Sequence, residues 1–168
     1  DPVYKIFGSM PTDPMHSVRK GVMARAMSLI FECMTASHKY RLDELAQNFH
    51  KGHQQSARKN FPQTEFSNGV TNLSNMTASE ECGLVFLLIC LAQFDDGWDF
   101  LNDALVTKGH KTNLSEVLEA LEALSCFDAW SRIDKFWKLS QQGKYAMEAK
   151  QSLAQMLTMI RDCLPRHT

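Results

Sequence analysis

Thr77-Ala-Ser-Glu-Glu-Cys-Gly-Leu-Val-Phe-Leu-Leu-Ile-Cys-Leu-Ala-Gln-Phe94 decides the fold class. Thr77 and Glu80 form a T-x-x-E capping box, in which each side chain satisfies a backbone N–H of the helix start. From Leu84 onward the stretch is apolar on nearly every side. A helix of that kind has no face to offer water, so it belongs at the centre of a helical domain. The uninterrupted apolar run, Leu84 to Ala92, is about half of the roughly 20 residues a membrane span needs. The expectation is therefore a buried central helix over 77–94, with no membrane association.

Upstream, Asp13 is a good N-cap, and Pro14 suits a first helical position, where its missing N–H is not needed. Met15, Val18, Val22, Ala26, Leu29, Ile30 and Met34 follow at helical spacing. This predicts a first helix over about 12–39, weakened at Gly21. Residues 3–8 read as a short strand or an extended lead-in. A second helix is expected from Arg41 to about Lys59, apolar on one face at Leu42, Leu45, Ala46 and Phe49 and polar all round in its second half. Pro62, Asn68-Gly69 and the Asn/Ser/Thr cluster make 60–76 a long loop.

Downstream of the central stretch, Asp95-Asp96-Gly97 reads as a break, followed by a shorter helix from Trp98 to Thr107. Asn113 and Glu116 open a further helix with Leu114, Val117, Leu118, Leu121 and Leu124 inside. Phe127, Trp130, Ile133, Phe136 and Trp137 continue at helical spacing as an aromatic core face. A last helix runs from about Lys144 to Leu164. The reading is all-α: one irregular bundle of about six helices over 1–168, with one long loop. The start at Asp1-Pro2, without Met, reads as a segment of a larger protein.

The five cysteines, Cys33, Cys82, Cys90, Cys126 and Cys163, are odd in number and mostly in apolar stretches. They read as reduced, packed thiols of an intracellular protein rather than a disulfide framework. The formal net charge of -1 is uneven. Residues 1–60 hold nine Lys/Arg and five Asp/Glu, and residues 61–168 hold nine and fourteen. A basic end suits a polyanionic partner; ordinary surface charge is the competing reading.

Three groups of residues can carry chemistry. Asp13-Pro-Met-His16 places a carboxylate one turn from an imidazole, a pair able to hold a divalent metal or orient one another; a plain cap and a surface histidine is the alternative. Glu80-Glu81 faces the positive end of a helix dipole; the alternative is capping duty for Glu80 and a solvated Glu81. His50 and His53 lie three apart with Lys51, Arg58 and Lys59 nearby. Without further ligands at a zinc spacing, a phosphate-binding basic patch fits them better than a metal site, and a solvated face is the alternative. No nucleophile elbow, P-loop or dinucleotide fingerprint occurs.

Ile6-Phe-Gly-Ser-Met-Pro-Thr-Asp-Pro-Met-His16, followed by Gly21-Val22, resembles a segment of CACTA- and Plavaka-type eukaryotic DNA transposases. That segment reads aromatic-Gly, Pro, acid-x-x-His, then Gly and an apolar helix. Arg58 with Phe61-Pro62, Phe66, Gly69 and Thr77-Ala-Ser-Glu80 resembles the block after it, in which an acidic residue opens a long apolar helix. The resemblance covers residues 4–95 in pattern. It implies an RNase H-like core whose three carboxylates hold two divalent ions, Mg2+ or Mn2+, at a DNA phosphodiester. Asp13 and His16 match the acid-x-x-His element. Glu80 stands as the final carboxylate, with Glu81 as its substitute. The remaining acid and the sheet would lie upstream of Asp1.

The functional expectation is a nuclear, transposase-like segment. It would bind DNA through Lys51, Arg58 and Lys59, contribute Asp13, His16 and Glu80 to a metal-dependent strand-transfer site, and be inactive as an isolated chain. Self-association is compatible with this. The rival from another class is a non-enzymatic helical protein-interaction module, using Trp130 and Trp137 or the acidic face around Glu116–Glu122.

Overall fold

The computed structural model describes residues 15–54, 65–106, 113–131 and 142–163. The described residues are all-α: a π-helical segment Met15–Met23, then α1 (Ala24–Cys33), α2 (Ala36–Gln54), a 3-10 turn Leu73–Asn75, α3 (Ala78–Leu91), α4 (Asp95–Val106), α5 (Leu114–Ser131) and α6 (Gln142–Cys163). The expected strand at 3–8 falls outside them.

α3 is the centre, as its apolar run requires. Leu84, Val85 and Leu87 are fully enclosed, and Leu88 and Leu91 are buried beside them. The π segment lies along α3 and also touches α1 and α5, while α5 packs on α3, α4 and α6. The inward positions of α5 read from sequence, Leu114, Val117, Leu118, Leu121 and Leu124, are all buried. The expected aromatic face beyond them, at the Trp130 side chain, Ile133, Phe136 and Trp137, lies outside the described residues.

Helix boundaries depart from the expectation at two places, each for a local reason. The first helix was expected to run to about residue 39. It ends at Cys33, where Met34 turns extended (φ -81, ψ 137). Thr35 then starts α2: its hydroxyl accepts from the His38 N–H at 3.2 Å, and its own N–H donates to His38 Nδ1 at 3.4 Å. This is a capping box with histidine in the place usually held by Glu or Gln. The second departure is the position of the break after the central helix: α3 ends at Leu91 rather than 94, and Asp95-Asp96-Gly97 opens α4 instead of forming the gap. Asp95 and Asp96 occupy its first turn, where the helix dipole favours them. Gly97 allows a tight corner, since a Cβ there would stand 2.1 Å from the Leu91 carbonyl oxygen.

The described part of the long loop, 65–76, is anchored at both sides. The Val70 N–H donates to Asp43 Oδ1 of α2 at 2.7 Å, and the Ser67 N–H donates to Glu80 Oε1 of α3 at 3.4 Å. Gly69 takes φ 79 between these anchors, a conformation that favours glycine. Val70 and Met76 enter the core.

Candidate functional site: two cations of the π segment on buried acids

The segment that follows Asp13-Pro14 is π-helical. Its wider turn carries one extra residue relative to an α-helix, and such turns are rare and often functional. Arg19 and Lys20 project from it toward two different acids. Arg19 grips Asp128 of α5 with two donors, Nε to Oδ1 at 2.8 Å and Nη2 to Oδ2 at 3.2 Å. Asp128 is 1% exposed. Cys82 of α3 places its Sγ 3.9 Å from Asp128 Oδ2. One guanidinium–carboxylate fork thus joins the π segment to α5 beside α3.

Lys20 donates to the Met76 carbonyl and stands 3.8 Å from Glu81 Oε1. That separation permits charge attraction but not a hydrogen bond. Glu81 is 1% exposed, and neither of its carboxylate oxygens has a hydrogen-bond partner. Burial pushes its carboxyl up to about 7, against the pull of the Lys20 charge; the charge of Glu80 adds to the rise. A buried, unsatisfied carboxylate beside an ammonium is costly to build, so it calls for a role other than stability.

Glu80, one residue earlier, behaves differently. Its Oε2 accepts the Thr77 N–H at 2.7 Å, its own N–H donates to the Thr77 hydroxyl at 3.2 Å, and Oε1 faces the Ser67 N–H. Burial alone would raise its carboxyl, but these hydrogen bonds outweigh burial and hold it below the usual carboxylate range. Glu80 therefore ties the loop to the start of α3. The alternative reading of Glu81 as a solvated side chain is corrected here. Glu81 lies on the same helical face as Leu84, Val85 and Leu88, one and two turns on, and is buried with them.

Asp13 lies outside the described residues, as do Arg58 and Lys59. His16 sits in the first turn of the π segment, where only its backbone is described, and the same holds for His53 in α2. Lys51 is exposed on α2. His50 is half-buried and lines an open cavity of about 230 Å³ with Asp43, Gln47, Glu65 and Phe66, beside the anchored loop.

Asp128 already faces a guanidinium, Glu81 an ammonium, and Glu80 two backbone amides. Among the described residues no three His, Cys, Asp or Glu are grouped to hold a metal. Asp13 and the imidazole of His16, which the resemblance places at the ion, are not among them. Nor, among the described residues, is any helix long and apolar enough to cross a membrane.

Comparison with protein-family models, curated proteins and solved structures yields no significant match.

Proposed function

We propose that this chain is a transposase-like segment that binds DNA with its basic first third and holds the acid-x-x-His motif on a helical support. One observation supports the proposal: the helical turns after Asp13-Pro-Met-His16 are π-helical, and their two cations, Arg19 and Lys20, reach two buried carboxylates. Ordinary core packing gives no reason to bury Glu81 unsatisfied or to place two cations at adjacent positions of one segment. A segment whose position must be fixed relative to a bound phosphodiester does give one, because small displacements of catalytic groups are costly in rate. Nuclear location follows from this reading. No metal-dependent step is assigned to the described residues; their share is binding and positioning.

Affinity for duplex DNA, followed by fluorescence anisotropy across a salt series, tests the reading. Binding should weaken linearly in log–log form as counterions are released. Replacing Lys51, Arg58 and Lys59 together by Ala should flatten that slope by roughly two to three contacts. Absence of binding at low salt, or a slope unchanged in the triple variant, removes the DNA reading.

A second reading, a non-enzymatic helical interaction module, is favoured by one other observation. Phe94 and Trp98 stand exposed at the start of α4, where a monomeric helical bundle has no need of them.

A further inference from the structure

Between Lys59 and Lys108 the sequence holds no lysine or arginine and seven Asp/Glu. Four of these, Asp95, Asp96, Asp99 and Asp103, fall on α4, and all four are exposed. Asp95 and Asp96 are accounted for by the helix dipole, which reaches only the first turn. Asp99 and Asp103 lie beyond it. Asp103 Oδ2 is 3.1 Å from His38 Nε2. No Lys or Arg among the described residues pairs with Asp95, Asp96 or Asp99.

The aromatic pair adjoins two of these aspartates, Asp95 and Asp99, round the helix. Phe94 is 64% exposed and Trp98 37% exposed. The Trp98 N–H donates to the Phe94 carbonyl at 2.8 Å, so the two residues lie one turn apart on the same side. Asp95 and Asp99 flank them at the next positions round the helix. Two exposed aromatic rings bordered by carboxylates that no described Lys or Arg pairs offer the two things a guanidinium or ammonium takes: a ring face and an anionic partner.

We propose that the outer face of α4 around Phe94 and Trp98 is a docking surface for a lysine- and arginine-rich peptide segment of another protein. Charge complementarity selects this occupant. An acidic or a purely apolar partner would leave the aspartates unpaired and desolvated, and a DNA strand would be repelled. This deepens the interaction-module reading by naming its partner, and it rests on that reading rather than on DNA binding.

The test uses the full chain and fluorescein-labelled hexa-arginine, with hexaglutamate as a comparator, in anisotropy titrations. Hexa-arginine should bind in a salt-sensitive way, and hexaglutamate should not bind. The Asp95→Asn/Asp96→Asn/Asp99→Asn variant should weaken hexa-arginine binding by roughly tenfold or more. Phe94→Ser and, separately, Trp98→Gln should weaken it as well, with helical circular dichroism unchanged. Glu116→Gln/Glu119→Gln/Glu122→Gln, which neutralises an equally exposed acidic face on α5, should leave the affinity unaltered. Equal losses from the α4 and α5 variants would mean general charge attraction and overturn the proposal. So would wild-type affinity in the α4 aspartate variant, or a dimer in sedimentation that Phe94→Ser dissolves, which would make a second copy the occupant. DNA affinity measured on the same α4 variants should not fall, so failure here leaves the DNA reading standing and the reverse also holds.

Discussion

Replacing Glu81 by Gln should stabilise the protein, and more so as pH rises. In the folded chain burial lifts the Glu81 carboxyl from 4.5 to about 7. In the unfolded chain it ionises in the ordinary carboxylate range. The folded state therefore binds the proton more tightly. Its advantage is fully present below the unfolded value and is lost as pH climbs through the interval up to about 7. Each unit of separation is worth about 1.4 kcal/mol. The wild-type penalty thus grows from about 1 kcal/mol at pH 5 to about 3 kcal/mol at pH 8. Gln carries no such penalty and is nearly the same size. Urea unfolding of wild type and Glu81→Gln at both pH values isolates this term, because all other titrations cancel in the difference. The gain at pH 8 should exceed the gain at pH 5 by about 2 kcal/mol. A difference between variants that does not change with pH, or that favours wild type at pH 8, refutes the assignment of Glu81 as a carboxyl that burial makes hold its proton more tightly in the folded state.

Further outcomes follow from the same contacts. Asp128→Ala leaves the Arg19 guanidinium without its fork partner and should cost about 3 kcal/mol in urea unfolding. Pairing Asp128→Leu with Arg19→Met should recover most of that loss, because a buried ion pair is replaceable by packed apolar groups. Gly97→Ala forces a methyl against the Leu91 carbonyl, which the backbone can relieve only by opening the corner between α3 and α4. It should lower stability by about 1–3 kcal/mol in the same assay. Thr77→Ala removes the hydroxyl that caps α3 and should cost about 1 kcal/mol.

The all-α class and the central helix were legible because they rest on local, additive signals: a capping box, an unbroken apolar run and leucines at helical spacing. The capping role of Glu80 was legible for the same reason. What escaped was non-local. Arg19 and Asp128 are 109 residues apart, and no spacing in the chain connects them. The burial of Glu81 did leave a trace, since it shares a face with Leu84, Val85 and Leu88. The capping box beside it supplied a more familiar explanation for the acidic pair and masked that trace. The start of α2 was missed because histidine replaces the expected acid or amide three residues after Thr35. Asp95-Asp96-Gly97 was misread because the glycine that usually marks a stop serves here as the contact point of a corner. The π-helical winding of Met15–Met23 has no sequence signature beyond Gly21. Of the residues expected to act at the metal or on DNA, Glu80, its substitute Glu81 and Lys51 are described in full, and the transposase resemblance remains the source of the functional assignment to Asp13 and His16.

The central proposal is that DNA meets the basic first third of the chain, at the π segment and the end of α2, rather than the acidic helices. The most direct measurement is a two-dimensional amide NMR titration of the full chain with a short DNA duplex at low salt. Salt-sensitive shifts should concentrate in residues 15–23 and around Lys51, with little change on α4 and on the exposed Glu116, Glu119 and Glu122 of α5. Shifts confined to α4, α5 or α6, or no shifts at all, would contradict it.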